Sequence, residues 1–141
     1  MGGLETLALI VGEGSKGLHG AASPLDVLAR AAGEVLEYAT PADALDGLRS
    51  RVGGLPPRGR TLIVVDGRGA LDARLGWIPL FVGLDLGPVF LIVDDDRPDA
   101  AAEARKHGAS RCLEHRHLAR HPGLLARSAR RVLAARVTVT R

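Results

Sequence analysis

The sequence has a single cysteine and very few aromatic residues. Cys112 is the only cysteine among 141 residues, so an internal disulfide is impossible and a reducing compartment is expected. One Trp, one Tyr and two Phe are the only aromatic side chains. None of them lies among the arginines of the last third, so the stacking platforms of a single-strand nucleic-acid binder are missing. We therefore do not expect nucleic acid as a partner of this domain.

Long apolar runs are missing as well. The most lipophilic stretch, Trp77–Leu84, is far shorter than a membrane span, and Pro79 and Gly83 interrupt it. The first residues, Met1–Glu5, lack the basic segment of a signal peptide. We therefore expect a cytoplasmic protein without membrane contact. A chain of 141 residues fits one domain, residues 1–141, with a core that needs no disulfide.

The net charge of +3 conceals a strong asymmetry along the chain. Residues 1–96 carry eight Lys/Arg against thirteen Asp/Glu, a net charge of −5. Residues 97–141 carry eleven against three, a net charge of +8. Such a pattern predicts an electrostatically polarised molecule, with the basic charges on solvated helix faces.

The stretch Thr61–Asp66 predicts a strand at the centre of a sheet. Four consecutive aliphatic residues precede Asp66, so both faces of the strand must be covered, as in a parallel sheet between helices. The turn Gly67-Arg68-Gly69 follows at once. Because ligands of open α/β sheets bind at the carboxyl ends of the strands, Asp66 is the first candidate for a functional residue.

Strands and helices alternate along the rest of the chain. The predicted strands are Leu7–Val11, Glu34–Ala39 (an edge), Thr61–Asp66, Pro88–Val93 and Ser110–Glu114. Helices are predicted to begin at Ser23-Pro24, Thr40-Pro41, Pro98 and His121-Pro122, the last two running over 98–107 and to about Ala135. This order predicts an α/β fold with a doubly wound, five-stranded parallel sheet and helices on both faces.

The segment between Gly67 and Gly87 is the least readable. Its apolar residues have helical spacing, but Pro79 and Gly83 break the pattern, so a short distorted helix is predicted. We expect Trp77, Ile78 and Phe81 to form an exposed apolar cluster, which favours a homodimer or a partner-bound state.

Two other patterns suggest competing functions. The loop Gly12–Gly17 matches G-x-G-x-x-G after a first strand, with an acidic residue twenty positions beyond it, which is the spacing of dinucleotide-binding proteins. The helix that should bind the pyrophosphate begins only at Ser23, so a plain turn is favoured and nucleotide binding stays an alternative. A group formed by Cys112, His115, His117 and His121 could suggest a metal, but solvated histidines beside a buried cysteine are favoured.

The order of these elements, and above all the block from Gly87 to Leu133, resembles the receiver domain of bacterial response regulators. In that block an apolar strand ending in Asp94 is followed by an Ala-rich helix closed by Gly108-Ala109, a short strand and a last helix. The resemblance implies the flavodoxin-like strand order 2-1-3-4-5. It also implies that the chain belongs to two-component signalling, the phosphorelay systems in which a histidine kinase phosphorylates a receiver.

Asp66 falls on the phospho-acceptor position of that family, but most of its partners are replaced. The acidic pair that holds Mg²⁺ matches Gly12 and Glu13, so only Glu13 and Asp66 remain as possible magnesium ligands. The switch hydroxyl matches Val93, and the lysine that contacts the phosphoryl group matches His115. The proline usually found after the acceptor matches Ala70.

This pattern implies a degenerate receiver, or pseudo-receiver. We expect a non-enzymatic signalling domain that acts through protein contacts, without an obligatory cofactor although Mg²⁺ could bind. The expected partners are a second copy of the chain, a histidine kinase or an effector domain. The contact face implied by the family carries Arg105, Arg111, Arg127 and Arg130. A response regulator that is still phosphorylated on Asp66 remains the alternative.

Overall fold

A five-stranded sheet forms the centre of the computed structural model, which describes residues 7–12, 34–51, 54, 56, 59–68, 71–94, 98–121 and 123–139. The strands are β1 (Leu7–Val11), β2 (Glu34–Tyr38), β3 (Leu62–Asp66), β4 (Val89–Val93) and β5 (Arg111–Glu114). Every neighbouring pair is parallel, and the order is β2-β1-β3-β4-β5. The predicted flavodoxin-like α/β fold is confirmed.

The strands differ in burial according to their place in the sheet. Every residue of β1, β3 and β4 is buried, as expected of strands covered by helices on both faces. The outer strands β2 and β5 consist of exposed and half-buried residues. The buried stretches Leu62–Val65 and Val89–Val93, and the edge position of β2, are therefore confirmed.

Helices cover both faces of the sheet. They are α1 (Pro41–Arg49), α2 (Leu71–Leu75), α3 (Trp77–Leu84), α4 (Ala100–Lys106), α5 (His115–Arg120) and α6 (Leu124–Val139). Buried residues of α1 to α4 share one apolar cluster with alternate residues of β1, β3 and β4. Buried residues of α5 and α6 pack against the other residues of the same strands. The helix predicted from Ser23 lies outside the described residues.

The start of α1 follows the predicted capping pattern. The backbone N–H of Asp43 donates to the Thr40 hydroxyl oxygen at 3.2 Å, and Pro41 occupies the first turn, where no hydrogen-bond donor is needed. Asp43 also places a negative charge at the positive end of the helix dipole.

The predictions for the helices were wrong in four respects. The segment from Gly67 to Gly87 contains two helices, α2 and α3, separated at Gly76. Helix α4 begins at Ala100 and not at Pro98, and the last helix runs over Leu124–Val139 and not from His121. A short additional helix, α5, follows β5 directly. Glu114, the residue before α5, makes no capping hydrogen bond with its side chain, so no capping residue in the sequence marks the start of this helix.

Candidate functional site

The carboxyl ends of the three central strands meet at one edge of the sheet. Val11 pairs with Val65, so Gly12 at the end of β1 lies beside Asp66 at the end of β3. Asp66 pairs in turn with Ile92 of β4, and Asp94 follows two residues later. Asp66 is 2% exposed and is one of only two buried polar residues in the described part of the chain, the other being Thr61.

The Asp66 carboxylate is held by Arg68. The Arg68 Nε donates to Oδ1 and its Nη2 donates to Oδ2, each at 3.0 Å. The Arg68 backbone N–H donates to the same Oδ1 at 3.1 Å. The Asp66 side chain is fully enclosed and that of Arg68 is 15% exposed. Both oxygens therefore accept charge-assisted hydrogen bonds in a bidentate arrangement, which is the strongest geometry for an arginine–carboxylate pair.

The turn at Gly67 makes this contact possible. The Gly67 N–H donates to the Ile92 carbonyl oxygen at 2.8 Å, which draws the turn against the end of β4. A Cβ at position 67 would lie 2.9 Å from that same oxygen, so only glycine fits. The turn then directs Arg68 back over the end of its own strand. The contact between Asp66 and Arg68, although local in sequence, thus depends on the neighbouring strand β4.

Gly12 leaves no room for a second carboxylate beside Asp66. Its φ is +147°, and a Cβ built on it would lie 2.8 Å from the Asp66 Cβ and 3.1 Å from the Asp66 carbonyl oxygen. Its N–H donates to the Tyr38 carbonyl oxygen at 2.9 Å, so the backbone is anchored in this position. An acidic residue here would need both a strained backbone and a shift of β3. The other acidic position, Glu13, and the rest of the Gly12–Gly17 loop lie outside the described residues.

The positions that match the family's switch residues carry no equivalent chemistry. Val93 is 2% exposed, belongs to the apolar cluster on the α1–α4 side, and has no hydrogen-bonding group in its side chain. His115 was expected at the end of the last strand, but β5 ends at Glu114 and His115 is the first residue of α5, where it is half-buried.

The described residues contain no group of three or more His, Cys, Asp or Glu side chains that could hold a metal ion. Cys112 is half-buried, where we expected it to be buried. Burial raises the pKa of its thiol, and the negative charge of Glu114 adds to the effect. At neutral pH the thiol therefore keeps its proton, which disfavours the thiolate that a metal or an electrophile requires.

The arginines of the predicted contact face lie on three elements, α4, β5 and α6. Arg105 lies on α4, Arg111 on β5, and Arg127 and Arg130 on α6, and all are exposed. Helices α4 and α6 pack on opposite faces of the sheet, and α4 is in direct contact with β5. Helix α5 lies in contact with both β5 and α6.

The apolar cluster expected on α3 is only partly exposed. Ile78 and Phe81 are fully buried in the core, which corrects the expectation that they face solvent. The exposed residues are Leu80 at 54% and Val82 at 43%. Trp77 is half-buried, with the Arg74 guanidinium 4.0 Å from its ring centroid in a cation–π contact. Any association through α3 would therefore use Leu80 and Val82.

Arg68 is the site residue that the sequence did not reveal. The only available signal was its place two residues after a buried Asp, across a glycine.

Within the described ranges, no helix has the length and apolar character needed to cross a membrane. Comparisons with protein-family models, curated proteins and solved structures find no significant match. What the site does must be inferred from its geometry.

Proposed function

We propose that this chain is a receiver-like domain of bacterial signal transduction that acts in the cytoplasm through protein contacts and without an aspartyl-phosphate switch. The observation that carries the proposal is the buried Asp66–Arg68 ion pair, which occupies both carboxylate oxygens. A second copy, a histidine kinase or an effector domain is the proposed partner.

Phosphorylation of Asp66 would require this pair to break. A carboxylate oxygen must be uncovered before it can attack a phosphoryl donor, and Arg68 donates a hydrogen bond to each of the two oxygens. Breaking a buried pair costs about 3–5 kcal/mol, which corresponds to a factor of roughly 10²–10⁴ in rate or equilibrium. A bound metal and preorganised hydrogen-bond donors usually offset such a cost. Gly12 has no side chain to bind a metal, and the side chain of Val93 has no hydrogen-bond donor.

Contact with a protein is supported by the surface around β5. Arg105, Arg111, Arg127 and Arg130 are exposed cations on α4, β5 and α6, and α5 contacts both β5 and α6. Clustered charge of one sign steers association with a partner of opposite charge and helps to select it. A receiver scaffold that has lost its phosphoryl-binding groups would keep this surface as its working part.

Ligand-induced stabilisation tests the proposal against both alternatives. We expect Mg²⁺ with beryllofluoride, a mimic of the aspartyl phosphate, to leave the melting temperature unchanged, and a nucleotide panel to do the same. A ligand at a hundred times its dissociation constant would add about 2.7 kcal/mol, or roughly 5–10 °C. Such a shift with beryllofluoride would indicate a phosphorylation-competent site, and one with a nucleotide would indicate binding over Gly12–Gly17.

A further inference from the structure

A small pocket lies between α4 and β5 on the sheet face covered by α1 to α4. It has a volume of about 110 Å³. Three alanines form part of its lining, Ala101 and Ala104 on α4 and Ala109 between α4 and β5, and each contributes only a methyl group. The pocket is remote from Asp66, because it is lined by the outer strand β5, and β4 separates β5 from β3, the strand that ends in Asp66.

The lining carries positive charge and no acid. Arg105 and Arg111 line the pocket together with Ser110, and both arginine side chains are exposed. Neither guanidinium has a hydrogen bond or an ion pair among the residues that the structure describes. The nearby carboxylate of Glu103 pairs instead with Lys106 at 3.4 Å. Two cations with unused donors thus flank one concavity.

The size of the pocket limits what can enter. A volume of 110 Å³ corresponds to roughly three or four water molecules at their share of liquid volume. Pockets for whole small molecules and cofactors are typically about 300–1,000 Å³. The space therefore suits one side chain and not a nucleotide. No aromatic residue lines the pocket, so a nucleic-acid base would find no stacking surface.

We propose that the pocket between α4 and β5 receives the carboxylate of a Glu or Asp side chain from an acidic segment of the partner protein. Arg105 and Arg111 bind the carboxylate, and the alanines accommodate the methylene groups of its side chain. This inference rests on the proposed function as an interaction domain and adds the chemistry of the partner. It also gives the two arginines a role distinct from that of Arg127 and Arg130 on α6.

Cys112 provides a direct reporter, because it is the only cysteine and lines the same pocket. The raised pKa of its thiol makes alkylation slow at neutral pH, so iodoacetamide is used at about pH 8.5 on the full chain. The probe is an end-blocked peptide of alternating Glu and Ser, with a Gln-Ser peptide as control. With the Glu peptide at about ten times its dissociation constant, we expect alkylation to slow about tenfold, since only the unoccupied fraction reacts.

Charge-neutral variants locate the effect. Arg105→Gln and Arg111→Gln are each expected to weaken the peptide about three- to tenfold, because each removes a charge-assisted hydrogen bond at a partly solvated site. Arg49→Gln is the matched control, since it makes the same charge change at an exposed position on α1. Circular dichroism verifies that all three variants fold.

The proposal is overturned if the Glu peptide does not slow alkylation of Cys112, or if the slowing at the same peptide concentration stays about tenfold in both Arg105→Gln and Arg111→Gln. Equal slowing by a single-stranded oligonucleotide at the same charge concentration also overturns it, because the pocket would then bind polyanions in general. None of these outcomes bears on whether Asp66 takes up a phosphoryl group. Failure of this inference is thus separable from failure of the proposed function.

Discussion

Arg68→Ala should lower the free energy of unfolding by about 3–5 kcal/mol, because it leaves the buried carboxylate of Asp66 without its counterion. In the described residues, every hydrogen bond to that carboxylate comes from Arg68. Small domains are stable by only about 5–15 kcal/mol, so the loss would be a large share of the total. Urea denaturation followed by circular dichroism measures it, and the melting temperature should fall by roughly 10–15 °C.

Two further variants show whether the cost comes from the buried charge. Arg51→Ala removes an arginine from an exposed ion pair with Glu34 and should cost no more than about 1 kcal/mol. The double variant Asp66→Asn/Arg68→Ala should recover at least half of the loss, since a neutral amide needs no counterion. If Arg68→Ala were as stable as the wild type, the pair would not hold Asp66 in solution, and the phospho-acceptor interpretation would gain support.

Phe81→Ala is the second substitution with a large expected effect, about 3–5 kcal/mol of stability. Phe81 is fully buried beneath α3, so the truncation removes apolar burial and leaves a cavity. Leu80→Ala, one residue earlier and 54% exposed, should change stability by less than about 1 kcal/mol. Both are measured by chemical denaturation. A reversed order, with Leu80 the costlier residue, would mean that α3 is rotated and that Phe81 is a surface contact.

The fold was largely predictable because its central strands carry an unambiguous pattern. The runs ending at Asp66 and Val93 are continuously aliphatic, and only a strand covered on both faces tolerates that. Thr40-Pro41 marked a helix start by a local hydrogen bond that needs no tertiary context. Both signals lie within a few residues of sequence.

The segment around α3 was harder because two residues that usually break helices are tolerated there. Pro79 is the third residue of α3, where its missing N–H would have no intrahelical partner. Gly83 is exposed in the last turn, where it costs only about 1 kcal/mol. Burial of Ile78 and Phe81 outweighs that cost, and this burial depends on the sheet beneath.

The candidate site was predictable only in part. The position of Asp66 followed from the end of a strand, which the apolar pattern marks. Its ion pair with Arg68 did not follow, because the turn that closes it depends on the hydrogen bond from Gly67 to Ile92 of a different strand. The tight approach of Gly12 to Asp66 likewise depends on the register between β1 and β3.

Phosphotransfer to Asp66 tests the central claim most directly. Wild-type protein and Asp66→Asn are incubated with acetyl phosphate, with and without Mg²⁺, and the intact mass is measured. The closed Asp66–Arg68 pair predicts that both proteins keep their unmodified mass under all conditions. A stoichiometric, Mg²⁺-dependent gain of one phosphoryl group that is lost in Asp66→Asn would contradict the account and identify Asp66 as a working phospho-acceptor.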